Sequence, residues 1–266
     1  MEKLRGKIVW ITGASSGIGE ALAIELAKEK ATLVLSSRRK DELLRVKLAC
    51  NGAQRIEILP LDVEMADEIP VKVKWVIETM GSIDMVIHCA GVSQRSIAAE
   101  TSMAVNNKIM AINYFGTVAL SLAVLPHFLQ NNKGQFVVMS SLTGKIGLPL
   151  RTAYSASKHA IEGFFAALRT ETWRTKIKIL VVRAGAVKTN IADAALTGNG
   201  EAFNKKDPII ENGISAAQCA EEIVQAILDG RRELTVSSFK EKLLLTIQRF
   251  LPSLAFNLVK KLGDKS

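Results

Sequence analysis

The chain has 266 residues, 48% hydrophobic and 23% charged, which fits one large α/β domain with ample core and excludes a disordered or low-complexity protein. Cys50, Cys89 and Cys219 are odd in number and widely spaced, and His88, His127 and His159 lack metal-ligand spacing. Neither a disulfide framework nor a metal site is therefore expected. The formal net charge of +9 lies on no aromatic-interleaved or groove-reading element, so nucleic acid is a poor explanation of it.

From the N-terminus, β-branched runs alternate with helix-length segments. Strands are predicted at 7–11, 32–36, 55–59, 84–88, 135–140, 176–183 and 233–237. Helices are predicted at 18–30, 41–50, 66–80, 101–129, 154–174 and 215–229. Continuous apolar strands such as Ile8-Val-Trp-Ile suit a sheet covered on both faces. The fold class is α/β: a three-layer, doubly wound Rossmann fold with a mostly parallel seven-stranded sheet. The stretch 187–213 has little periodicity and reads as a mobile flap. Residues 1–238 form the Rossmann unit, and 239–266 read as a basic amphipathic extension that Pro252 divides or kinks. The apolar run at the N-terminus is too short for a signal peptide, and no uninterrupted spanning stretch is seen, so a cytoplasmic protein is expected.

The first strand runs into Thr12-Gly-Ala-Ser-Ser-Gly-Ile-Gly19 and then directly into a helix. Gly13 permits the sharp turn, Gly17 allows close backbone approach to a pyrophosphate, and Gly19 allows helix–strand packing. The helix start, with Ser15, Ser16 and Ile18 beside these glycines, offers amide donors to phosphate. At the end of the second strand stands Ser36-Ser-Arg-Arg-Lys, without a carboxylate until Asp41. Bare cations at a helix start are mildly unfavourable, which suggests an anion that offsets them. Arg38, supported by Arg39, is the expected ligand of a ribose 2′-phosphate, so NADP (NADPH) is preferred over NAD.

Tyr154 and Lys158 stand four residues apart, on one helical face. An ammonium there favours the phenolate, so Lys158 is expected to lower the Tyr154 pKa toward the working range of a proton donor.

Thr12-Gly-Ala-Ser-Ser-Gly-Ile-Gly, Leu61-Asp-Val, His88-Cys-Ala-Gly, Ile112-Asn-Tyr, Ser140-Ser and Tyr154-Ser-Ala-Ser-Lys occur in the order seen in the short-chain dehydrogenases/reductases. From about residue 7 to 236 the chain resembles the single-domain branch of that family. The resemblance implies that Tyr154 is the catalytic acid/base and that Lys158 lowers its pKa and binds the nicotinamide ribose. Ser141, thirteen residues before Tyr154, matches the serine that bonds the substrate oxygen, with Ser140 the alternative by spacing. Asn113 matches the asparagine that holds a relay water. Asp62 and Val63 match adenine contacts, Ala90 and Gly91 line the cofactor, and Gly185, Val187 and Thr189 match the nicotinamide segment. Two departures stand out. His88-Cys replaces the usual Asn-Asn, and Ala184-Gly replaces Pro-Gly, which should loosen the turn.

The expected activity is hydride transfer between NADP and a small-molecule carbonyl or secondary alcohol. The alternatives are a non-catalytic NADP-binding regulatory or scaffold protein, and an epimerase or dehydratase of the extended branch. The latter lacks its TGxxGxxG spacing here. The resemblance also implies a homodimer or homotetramer. In the tail, apolar residues at 243, 247, 250, 254 and 258 follow helical spacing beside Lys240, Lys242, Arg249, Lys260, Lys261 and Lys265. That pattern suits contact of residues 239–261 with an anionic membrane and a lipid-like substrate, or packing over the cleft or against a subunit.

Overall fold

The computed structural model describes residues 4–263, with side chains through residue 260. Seven parallel strands form the main sheet in the order β3-β2-β1-β4-β5-β6-β9. They are β1 (Ile8–Thr12), β2 (Thr32–Ser36), β3 (Arg55–Ile58), β4 (Met85–His88), β5 (Gly134–Ser141), β6 (Ile177–Ala184) and β9 (Glu233–Val236). Every predicted strand is present, most of them shifted by a residue or two at their ends. A separate pair, β7 (Val187–Lys188) and β8 (Ile214–Ser215), brackets the flap segment.

Alternation along β1 explains the three layers. Val9 and Ile11 enter the core beneath α1 (Gly17–Lys28), α2 (Lys40–Ala49) and α8 (Ala216–Leu228). Trp10 points the other way, into the core beneath α3 (Ile69–Met80), α5 (Gly116–Gln130) and α6 (Thr152–Glu171). The buried Trp10 indole donates to Ser36 Oγ at 2.8 Å, so its one polar atom is satisfied.

The predicted helix 101–129 is α4 (Met103–Met110), a π-helical turn at Ala111–Phe115, and then α5. The stretch from Met103 to Gln130 is long and apolar enough to cross a membrane. Here one side of it is core, with Ile109, Ile112, Leu120, Val124 and Phe128 buried.

The segment 187–213 is tied down rather than loose. Leu196 pairs with Gln94 and Ala202, and the short helix α7 (Pro208–Glu211) is capped by Asp207. Asp207 also bonds Arg95 and Arg151 from elsewhere in the chain.

The tail forms α9 (Phe239–Phe250) and α10 (Pro252–Gly263), divided at Pro252 as expected. Ala255 and Val259 are buried against Ile146, with Leu244, Leu245 and Ile247 around them. Glu241 completes a capping box with Ser238, and its Oε1 also accepts from Ala186 N at 3.1 Å. This corrects the expectation that Ala184-Gly185 would be loose, because the tail braces that turn. The Lys261 side chain and residues 264–266 lie outside the described residues.

Candidate active site

The strand order reverses between β1 and β4, and a cleft of about 470 Å³ opens at the carboxyl ends of the strands there. It is lined by every expected cofactor residue: Gly13, Ser15, Ser16, Gly17, Ile18, Gly19, Arg38, Arg39, Asp62, Val63, Ala90, Gly91, Gly185, Val187 and Thr189. Ser141, Tyr154 and Lys158 line the same cleft. Asn113 does not. It is buried behind Gly91.

At the β1 end, Gly13 has φ +67°, and a Cβ there would fall 2.6 Å from Ala90 N. On Gly19 a Cβ would fall 2.3 Å from Gly13 O, so the turn and the start of α1 pack backbone to backbone. Ser16, the residue before α1, makes no side-chain cap; its hydroxyl instead accepts from Arg39 Nη2 at 3.1 Å. Arg39 Nη2 also reaches Ser15 Oγ at 3.0 Å, while Arg38 lies exposed at the rim. Arg38, Arg39, Arg95, Arg151 and Lys158 line the cleft, against the single carboxylate of Asp62. A glycine turn with uncapped first-turn amides and this excess of cations fits a polyanionic dinucleotide.

At the other end, successive residues of β5 face opposite ways. Ser141 lines the cleft with Tyr154 and favours its phenolate, whereas Ser140 Oγ is buried and without a partner among the described residues. Of the two serines, Ser141 is the one beside the phenol. Lys158 Nζ sits 5.7 Å from the Tyr154 ring centroid and donates to Met139 O at 2.8 Å. Its burial lowers its pKa to about 8.

Tyr154 itself corrects the expectation drawn from spacing. Burial raises its pKa above the usual phenol value, opposed by Arg151, by Ser141 and by Arg95. The i,i+4 argument weighed the ammonium and omitted desolvation, which is the larger effect here.

Asn113 sits in the π-helical turn with its amide fully engaged. Oδ1 accepts from Val92 N at 2.8 Å, and Nδ2 donates to Val92 O and Ser157 Oγ, both at 3.0 Å. Its side chain thus ties the loop after β4 to α6. His88 is a buried strand residue, 3.0 Å from Ser121 Oγ and stacked on Phe136. Burial lowers its pKa to about 3.

Four residues near the site carried no sequence signal. Gln94, fully buried, accepts through Oε1 from Ala153 N at 2.8 Å and Tyr154 N at 3.3 Å, which caps the helix carrying Tyr154. Arg95 and Arg151 line the cleft with Tyr154, and both bond Asp207. Asp207 lies 112 residues from Arg95 and 56 from Arg151, and no short motif spans such gaps.

Parallel order and a glycine turn at the reversal point define a Rossmann-type α/β protein. Comparison with known proteins narrows this. Residues 7–199 match the short chain dehydrogenase family, and the chain belongs to it. It is similar to "Dehydrogenase/reductase SDR family protein 7-like" of Anopheles gambiae, 38% identical over 98% of this chain and 84% of that one. "Dehydrogenase/reductase SDR family member 7" of Homo sapiens is 36% identical over 99% of this chain and 79% of its own length. Among solved structures, a short-chain dehydrogenase from Streptomyces avermitilis superposes with a TM-score of 0.82 at 25% identity, covering 98% of both chains. An alcohol dehydrogenase from Thermococcus sibiricus, complexed with 5-hydroxy-NADP, superposes with a TM-score of 0.75 at 26% identity, covering 88% of this chain and 97% of that one. The protein is therefore an oxidoreductase of the dehydrogenase/reductase type, from a family that uses a nicotinamide cofactor.

Proposed function

We propose that the protein is an NADP-preferring oxidoreductase that interconverts a carbonyl and a secondary alcohol, with Tyr154 as the acid/base. The observation that carries this reading is the shared cleft: Tyr154, Ser141 and Lys158 line one end and the glycine turn with Arg38 and Arg39 the other. The bound nicotinamide would exchange a hydride with the substrate carbon. Tyr154 gives its proton to the substrate oxygen in reduction, and Ser141 holds that oxygen by hydrogen bonding. Lys158, anchored on Met139 O, would hold the nicotinamide ribose, and Asn113 keeps the loop at Val92 and the helix of Tyr154 in register. Tyr154→Phe should abolish turnover of a ketone panel followed by NADPH absorbance while leaving NADPH binding intact. Near-normal turnover would sink the assignment, and a strong preference for NADH would overturn the role given to Arg38 and Arg39.

In this reading residues 1–238 are the catalytic unit and the tail is its extension. Phe115, Leu122 and Leu129 are exposed seven residues apart along the helix, which supports a homodimer or homotetramer face. Light scattering on the Leu122→Glu variant tests this. A mass equal to that of wild type would remove the face.

One observation favours membrane contact. On α9, Phe239, Leu243 and Phe250 are exposed on the side opposite the packed Leu244 and Leu245, flanked by Lys240, Lys242 and Arg249. Residence in the cytoplasm at an anionic membrane surface, with a lipid-like substrate, fits that stripe and the free thiols of Cys50, Cys89 and Cys219. Co-sedimentation with phosphatidylserine vesicles should fall when Phe239, Leu243 and Phe250 become serine. Equal sedimentation would remove the idea.

A further inference from the structure

We propose that the substrate carries an anionic oxygen group, a carboxylate or a phosphate monoester, held beside the reacting carbon by Arg151. This rests on the hydride-transfer reading above.

The argument begins with two guanidiniums and one carboxylate. Asp207 Oδ2 accepts from Arg95 Nη2 and, at 3.2 Å, from Arg151 Nη2, while Asp207 Oδ1 accepts from Ile209 N at 2.9 Å. Arg95 is otherwise occupied: its Nη1 donates to Gln94 O at 2.8 Å and Ser93 Oγ at 3.5 Å. Arg151 is not. Among the described residues its side chain makes only the Asp207 bond, through Nη2, and the residue lines the cleft. Only 6% and 18% of the Arg95 and Arg151 side chains are exposed, so one net positive charge sits largely out of water. Unpaired buried charge is unfavourable, and an incoming anion relieves it.

Position gives the anion a distance from the chemistry. Arg151 immediately precedes α6, and Tyr154 follows three residues later on the same face. A planar guanidinium pairs with both oxygens of a carboxylate or phosphate, so it fixes orientation as well as affinity. Burial, and after it the repulsion from Arg95, holds the Arg151 pKa below its ordinary value, in keeping with a site short of negative charge.

Two matched pairs of ketones test this in the full-length enzyme with NADPH. One is 4-acetylbenzoate against methyl 4-acetylbenzoate; the other is 4-acetylphenyl phosphate against 4-hydroxyacetophenone. In at least one pair the anion should be favoured in kcat/KM by about ten- to a hundredfold, mostly through KM. The favoured pair identifies carboxylate or phosphate. Arg151→Gln should bring that ratio close to one, and Arg151→Lys should restore part of it. Calorimetric titration of benzoate, phenyl phosphate and benzamide gives a second readout, in wild type and in Tyr154→Phe. The matching anion should bind both proteins more tightly than benzamide. Equal kcat/KM within both pairs overturns the inference and leaves the hydride-transfer reading standing. A ratio unchanged in Arg151→Gln also overturns it, since the anion then sits elsewhere. Selective anion binding without turnover of any ketone supports the site and instead overturns the hydride-transfer reading.

Discussion

Replacing Gln94 with leucine tests whether the helix start under Tyr154 depends on a side chain far from it in sequence. Gln94 is fully buried and leucine has nearly its volume, so the cavity effect is small. The loss is polar. Ala153 N would give up a 2.8 Å bond and, being buried, would find no water, which costs about 1–3 kcal/mol. Tyr154 N gives up a longer bond of 3.3 Å in a partly exposed position, and so adds to the lower end of that range. The acceptors of Gln94 Nε2 are better placed, because Ser96 Oγ and Thr101 Oγ1 already share a 2.7 Å bond and Thr101 donates to Ile97 O. The total is about 2–4 kcal/mol, a large share of the marginal stability of a domain. Urea unfolding followed by circular dichroism should show that loss, with a melting temperature lower by about 5–15 °C. At temperatures where the variant stays folded, kcat should fall more than KM rises, because the first turn of α6 sets the height of the phenol in the cleft. A stability within about 0.5 kcal/mol of wild type, the scatter of a neutral surface change, would refute the capping role.

Gly19→Ala should abolish NADPH binding by fluorescence titration and lower stability, because the new Cβ would lie 2.3 Å from a backbone oxygen that cannot move away cheaply. His88 should make the protein acid-sensitive. The folded state keeps the imidazole neutral down to about pH 3, while the unfolded chain takes up the proton near 6.5. Stability is therefore lost as pH falls below 6.5, by about 1.5–2 kcal/mol on reaching pH 5, and His88→Gln should flatten that slope in urea titrations. Glu241→Ala should cost about 1–2 kcal/mol, because it removes a capping box and orphans Ala186 N. It should also weaken NADPH binding, since the braced turn leads into Val187 and Thr189.

Much of this was legible in the chain. The central strands β1, β4 and β5 are buried on both faces, so each carries a continuous apolar run, whereas the edge strand β3, Arg-Ile-Glu-Ile, is half-buried and alternates. The glycine turn and the Tyr154–Lys158 spacing were readable because one continuous β-turn-α unit or one helix face holds each of them. Two things were not, and a third only in part. The π-helical turn at Ala111–Phe115 hides inside one long, mostly apolar helical segment, where 3.6-residue counting drifts past it without a gap. The flap looked irregular because its order comes from single bridges to Gln94 and from Asp207, both supplied by distant partners. The bracing of Ala184-Gly185 was legible in principle, since Ser238-Phe-Lys-Glu241 spells a capping box before an apolar run. Its second bond, to Ala186 N, was not.

The electrostatics of Tyr154 show why spacing alone misleads about its charge. A buried ammonium with a pKa near 8, held on a backbone carbonyl, does not lower the phenol's pKa by itself. The opposing cations are Arg151 and Arg95, from the cleft wall, and even with Ser141 they leave the pKa above its ordinary value. At neutral pH the phenol is then protonated, the state that donates to a carbonyl oxygen, whereas taking a proton from an alcohol first requires the phenolate. Arg151, the stronger of the two, is the one proposed to meet a substrate anion. An anion bound at Arg151 would screen that help and keep the proton on Tyr154. Substrate recognition and the direction of proton transfer would thus be set by the same guanidinium, which ties reduction to the presence of the group that Arg151 holds.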